Sequence, residues 1–128
     1  MRRILVTGAN GFIGSPLCQA LSAAGQAPVA AVRPAAVLPE GIERRPVGAL
    51  SAESDWRPAL AGMETVIHLA ARVHVMQDRS ADPLAAFRAA NVAATRALAE
   101  QAAAAGVAHL LFLSSIKVNG EESGTRPF

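Results

Sequence analysis

The chain has 128 residues, 52% of them apolar, and a formal net charge of +2. That suits one domain with a packed core; the apolar runs fall far short of the ~20 residues of a membrane span, and no apolar signal segment follows Arg2-Arg3, so a cytoplasmic protein is expected. The single cysteine, Cys18, excludes an internal disulfide, and scattered arginines with only 4% aromatics argue against a nucleic-acid partner.

In chain order, Arg3 to Thr7 (RILVT) reads as a buried strand, and Gly8 to Gly14 breaks it. Phe12 to Ala24 reads as a helix, with Ile13, Leu17, Ala20, Leu21 and Ala24 on one apolar face. Pro16 is tolerated in its first turn and Gly25 stops it. Cys18 on this helix reads as a small buried hydrophobe. Pro28 to Arg33 is a second strand, Pro34 to Gly41 a proline-rich loop, and Ile42 to Val47 a weaker strand spoiled by charge and Pro46. Ser54 to Leu60 is a short helix capped by Ser54 or Asp55. Glu64 to Ala71 (ETVIHLAA) is a fourth strand. An irregular stretch, Arg72 to Asp82, precedes a long helix opened by Asp82-Pro83 and ended at Gly106. Val107 to Ser114 is a fifth strand. These strands are continuous apolar runs rather than alternating ones. They predict an α/β fold with a doubly wound parallel sheet covered by helices on both faces.

Thr7 to Gly14 reads TGANGFIG, placing Gly8, Gly11 and Gly14 between the first strand and the first helix. A phosphate-binding turn sits at this place in such sheets. Gly8 allows a tight turn, Gly11 lets a pyrophosphate approach, and Gly14 lets the helix pack closely. Amides at the helix start then face the anion. A purely structural strand-to-helix turn is the alternative.

TGANGFIG resembles the fingerprint of the extended short-chain dehydrogenase/reductase family, which holds nucleotide-sugar epimerases, dehydratases and reductases. AGMETVIHLAA (Ala61 to Ala71) is similar to that family's fourth strand, NVAAT (Asn91 to Thr95) to its N-V-x-x-T signature, and SSIKVNG (Ser114 to Gly120) to its S-S-x-x-V-Y-G, with Asn119 in place of the tyrosine. The resemblance covers essentially the whole chain. It lies closest to the bacterial sugar-nucleotide 4-epimerase and 4-ketoreductase branch that serves surface-polysaccharide synthesis. It implies a Rossmann-like sheet of order 3-2-1-4-5 that binds NAD(P). The implied cofactor contacts are Gly8, Asn10, Gly11, Phe12, Ile13, Gly14, Arg33, Leu50, Leu69, Ala70, Ala71, Asn91 and Ser114. Asn91 would order the fourth-strand region, or else be a helix-surface amide.

The residue ending the second strand faces the adenosine ribose and should fall about 20 residues beyond the glycine turn. Arg33 stands 19 residues after Gly14. An acid there would accept the ribose hydroxyls and repel a 2′-phosphate. Arginine accepts nothing and offers a planar fork of donors suited to phosphate. NADP is therefore favoured over NAD; stacking on adenine, or a solvent-facing side chain, is the alternative. The family's adenine-contacting aspartate after the third strand is replaced by Ala49.

By the resemblance, Ser115 takes the catalytic serine position and hydrogen-bonds the substrate oxygen during hydride transfer at a sugar carbon. A strand-terminal cap is the plain reading of the serine pair. The family's proton transfer belongs to the tyrosine of Y-x-x-x-K. This chain has no tyrosine, and 13 residues follow Ser115. Lys117 is no substitute. His68 reads as a satisfied core histidine, His74 is a possible cleft residue, and His109 starts a strand. The histidines and the cysteine show no metal spacing.

Two expectations compete, and TGANGFIG with HLAA argues against a third, a phosphate-binding fold unrelated to nicotinamide such as a flavin carrier. The first is the N-terminal cofactor-binding domain (1–128) of a longer nucleotide-sugar epimerase or reductase, able to bind dinucleotide but not to turn over alone. Its parent would be a homodimer packed through the Pro83–Ala105 helix. The second is a non-catalytic NADP(H)-binding sensor or regulator. Against the second, HLLFLSS would be an uncovered apolar edge.

Overall fold

A computed structural model describes residues 3–48, 51, 53–70 and 89–113. Five strands form one parallel sheet: β1 (Arg3–Thr7), β2 (Ala27–Val32), β3 (Glu43–Pro46), β4 (Thr65–His68) and β5 (His109–Phe112). Their order is β3-β2-β1-β4-β5, as the sequence implied. Helices α1 (Gly14–Ala23), α2 (Arg57–Leu60) and α3 (Ala94–Ala104) connect them, and a π-helical turn at Ala89–Ala93 leads into α3. The start of the long helix expected at Asp82-Pro83 lies outside the described residues. Among the described residues no helix is long and apolar enough to cross a membrane.

The sheet is two-sided because its central strands, β1, β2 and β4, put apolar residues on both faces. Alternate residues of a strand point to opposite faces. Leu5, Val29, Ala31 and Val66 therefore meet one helical layer, where Trp56, Ala59 and Leu60 of the α2 region and Leu98 and Ala102 of α3 complete a buried core. Ile4, Val6, Ala30 and Val32 meet the other layer, with Cys18 of α1 and the partly buried Leu17 and Leu21. Burial pushes the Cys18 thiol pKa up, so it behaves as a packed apolar group.

The face of α1 differs from the one expected. Gly14 and Cys18 are buried and Leu17 and Leu21 half-buried, whereas Ile13, Ala20 and Ala24 are exposed. The helix begins at Gly14 rather than Phe12 because Gly11 N–H first closes a turn onto the Gly8 carbonyl, at 3.0 Å. Gly14 then seats on the backbone of that turn and sets the helix's rotation. The expected stop at Gly25 is observed: Gly25 N–H bonds Ser22 O and Gln26 N–H bonds Leu21 O, a Schellman ending. α3 closes the same way at Gly106 and Val107, onto Ala103 O and Ala102 O.

α2 is also shorter than expected. It starts at Arg57, and its N-cap is Trp56, with no side-chain cap. The reason lies on α3. Gln101 Nε2 donates to Ser54 O at 2.8 Å, and its Oε1 accepts Trp56 N–H at 2.6 Å. Those backbone groups are therefore spent on a neighbouring helix. Asp55 accepts the Arg57 amide instead, at 3.1 Å. At the other end, Arg45 of β3 donates from one nitrogen to the carbonyls of Pro58, Ala59 and Ala61, satisfying the last turn.

The two sheet edges differ. β3 carries Glu43, Arg44, Arg45 and Pro46, and Arg3 Nη2 pairs with Glu43 at 2.9 Å. β5 is exposed on every residue and apolar from Leu110 on, with Phe112 57% and Leu111 52% accessible. The expected apolar edge is present.

Candidate functional site

The carboxyl ends of β1, β2 and β4 and the loops that follow them enclose a cleft of about 680 Å³. Ligands bind at this end of an open parallel sheet, where the connections to either side of β1 diverge. Gly8, Asn10, Gly11, Phe12, Ile13 and Gly14 form its floor, Arg33 lies on one side, and Leu69 and Ala70 form the opposite wall. The sequence had marked each of these. Leu50, Ala71, Ser114 and Ser115 lie outside the described residues, as do Ala49, His74, Lys117 and Asn119.

Gly8 is the pivot. Its φ of +66° is open to glycine and strained for other residues. A Cβ there would also stand 2.8 Å from the Ala70 nitrogen and 2.9 Å from the Leu69 carbonyl carbon. β1 therefore approaches the end of β4 backbone to backbone. At Gly14 a Cβ would overlap the Gly8 carbonyl oxygen and reach 2.7 Å from Ala9 Cα. The close packing of Gly14 is thus against the turn itself.

The start of α1 opens on the cleft. Its N-cap is Ile13, with no side-chain cap, and no acidic residue lies in the first turn. Helix N-termini carry partial positive charge and unsatisfied N–H groups. Phe12 is 97% exposed beside them. The donor chemistry and shape therefore fit the pyrophosphate and flat rings of a dinucleotide.

Arg33 is exposed and lines the cleft just past the end of β2. The loop behind it turns back by a bond from Ala36 N–H to Arg33 O, at 3.0 Å. This brings Ala35 and Ala36 to the cleft. A guanidinium donor from Arg44 holds Pro34 O at 2.9 Å.

Several lining residues were not anticipated: Ala31, Val32, Ala35, Ala36, Val47, Gly48 and Leu113. The rule that loops at the carboxyl ends of strands line the crevice could have found Ala35 and Ala36. The others are backbone-level neighbours of residues that had been marked. The Asn91 carbonyl accepts the Thr95 hydroxyl at 2.8 Å, and Asn91 is not among the described residues that line the cleft.

β4 ends at His68 rather than at the expected Ala71: Leu69 N–H still reaches the Thr7 carbonyl, at 3.3 Å, but the Ala70 amide turns to a side chain. Leu69 and Ala70 N–H both donate to Thr7 Oγ1, each at 3.0 Å. His68 is buried, as expected of a core histidine, with Nδ1 at 2.7 Å from Thr7 Oγ1 and Nε2 at 3.0 Å from Thr95 Oγ1. Trp56 meets its ring edge-on at 6.4 Å and Phe112 stacks on it at 5.8 Å. Burial holds its pKa below the ordinary histidine value. Among the described residues no cluster of His, Cys, Asp or Glu could hold a metal.

A glycine turn at the centre of a 3-2-1-4-5 parallel sheet, with an opposed β4 wall, is the architecture of a dinucleotide-binding α/β protein. Residues 4–128 match the NAD dependent epimerase/dehydratase family. The chain belongs to that family. It is 42% identical over 121 residues to a UDP-glucose 4-epimerase of Vibrio cholerae, across 94% of this chain and 37% of that protein. Among solved structures it is similar to MoeE5 in complex with UDP-glucose and NAD, with a TM-score of 0.77 and 35% identity, over 94% of this chain and 39% of that one. It is also similar to a short-chain dehydrogenase/reductase superfamily protein from Agrobacterium tumefaciens with bound NAD, with a TM-score of 0.74 and 32% identity, over 94% and 34% of the two chains. The chain thus spans less than two fifths of the length of these relatives.

Proposed function

We propose that residues 1–128 are the dinucleotide-binding domain of a nucleotide-sugar epimerase or a related 4-ketoreductase. The observation that carries this reading is the convergence of three elements on one cleft: the uncapped start of α1 behind the glycine turn, Arg33 past β2, and the Leu69-Ala70 wall past β4. The relatives support it, since one is a UDP-glucose 4-epimerase and another is a complex with UDP-glucose and NAD.

When bound, the nicotinamide supplies hydride exchange with a sugar carbon. The chain's own residues bind and orient. The amides at the start of α1 receive the pyrophosphate, with Asn10, Phe12 and Ile13 around it. Leu69 and Ala70 line the opposite side; the family resemblance adds Leu50, Ala71 and Ser114 to the cofactor contacts, with Asn91 ordering the fourth-strand region. Ser115 donates to the reacting substrate oxygen. The sequence has no tyrosine, so the Y-x-x-x-K pair would be supplied from beyond these residues. The whole protein would then be a cytoplasmic homodimer acting in surface-polysaccharide synthesis.

Arg33 gives the domain a preference for NADP over NAD. Its guanidinium offers a planar pair of donors to a 2′-phosphate, where an acid would repel it. Fluorescence titration with NADPH and NADH tests both parts of the reading. The expected result is measurable binding of both, tighter for NADPH. Arg33→Asp should weaken NADPH about tenfold or more while changing NADH by less than about threefold. Equal losses would remove Arg33 from cofactor selection, and no binding of either by the folded chain would overturn the domain assignment. A second reading, a non-catalytic NADP(H)-binding module, draws on the missing tyrosine. Epimerase turnover by the protein carrying this chain would exclude it.

A further inference from the structure

The side chains of Thr7, His68 and Thr95 join into one hydrogen-bonded line that runs from β1 through β4 to α3. Its protons can be assigned by counting. Thr7 Oγ1 already accepts two amides, Leu69 and Ala70, so both of its lone pairs are used. Its own proton must go to His68 Nδ1, at 2.7 Å. Nδ1 is then an acceptor and Nε2 carries the ring proton, which is donated to Thr95 Oγ1 at 3.0 Å. Thr95 passes its proton to Asn91 O at 2.8 Å, so every donor in the line points the same way.

We propose that His68 is a positioning residue of the cofactor cleft: as the neutral Nε2–H imidazole it orients the Thr7 hydroxyl, which holds Leu69 and Ala70 against Gly8. This inference rests on the cleft being the dinucleotide site. An imidazole that carried a proton on Nδ1 would face Thr7 as a donor. Thr7 Oγ1 would then meet three donors with two lone pairs, and would either leave Leu69 N–H to its second acceptor, the Thr7 carbonyl at 3.3 Å, or release Ala70 N–H.

The two ends of the ring can be tested apart. His68→Asn places an amide oxygen near the Nδ1 position and keeps an acceptor for Thr7. His68→Gln reaches the Thr95 end and leaves Thr7 without one, and His68→Leu removes both. The expected order for NADPH and NADH affinity is wild type and His68→Asn within about threefold, with His68→Gln and His68→Leu about tenfold weaker, the loss of roughly one hydrogen bond. Thr7→Ser should rescue what Thr7→Val loses. Backbone amide exchange at Leu69 and Ala70 should accelerate in His68→Gln and stay slow in His68→Asn. Nitrogen-15 shifts of the wild-type imidazole should show Nδ1 bare and Nε2 protonated. A protonated Nδ1 at neutral pH, or equal exchange rates in the Asn and Gln variants, would overturn the proposal. If the wild type bound neither dinucleotide, the domain assignment would fall, while the tautomer and the exchange pattern would still decide the role of His68 in ordering the wall.

Discussion

At Gly8 two requirements coincide, a positive φ and a backbone contact too close for a Cβ. Gly8→Ala should therefore lower stability by about 1–3 kcal/mol through strain alone, and push Ala70 away from the turn as well; denaturant unfolding and dinucleotide titration read the two effects. His68 adds a pH dependence. Its folded pKa lies below the ordinary value of about 6.5, so the unfolded chain binds the extra proton first. The stability it contributes is fully present above about pH 6.5 and declines as the pH falls below that toward the folded pKa. Among the described residues, the groups packed on it (Thr7, Trp56, Thr95, Phe112) carry no charge to offset this. Thermal unfolding between pH 7.5 and pH 5 should show a fall that His68→Asn flattens. The glycine turn was legible in the sequence because its function is encoded in spacing within eight residues. The His68 line was not, since its bonds join residues 61 and 27 positions apart, and only the fold brings them together.

The strands of the core and α1 were legible as elements because each is an uninterrupted apolar or periodic run. The end of β4 and the start of α2 were not, for a common reason: each is decided by a group outside the element. The Thr7 hydroxyl takes the Ala70 amide where β4 stops, and Gln101 takes the groups that would have begun α2 at Ser54. Gln101→Ala removes two hydrogen bonds to buried or half-buried backbone. It should destabilise the protein by about 1–3 kcal/mol, measured by urea unfolding. Leu98→Ala, in the same layer, should cost about 2–5 kcal/mol by cavity formation, since Leu98 is fully buried in the core on that face of the sheet.

For the sheet as a whole, the two edges invite different neighbours. Charges and a proline on β3 discourage strand addition, whereas the exposed Leu110, Leu111 and Phe112 of β5 offer an apolar, unpaired margin among the described residues. Purified alone, this chain should self-associate with rising concentration, and Leu111→Lys should suppress this in light scattering while leaving the melting temperature within a few degrees. The faces differ too. Gln101 binds the segment before α2 to α3, and Arg45 binds the end of α2 to β3, so that layer is tied into one piece. Among the described residues α1 has no such straps and rests on Gly14, Cys18 and half-buried leucines. The sheet therefore has a slow side and a fast side: hydrogen exchange should open α1 and its glycine turn before the α2–α3 layer yields. A ligand held by that turn would act as the missing strap, slowing the fast side most.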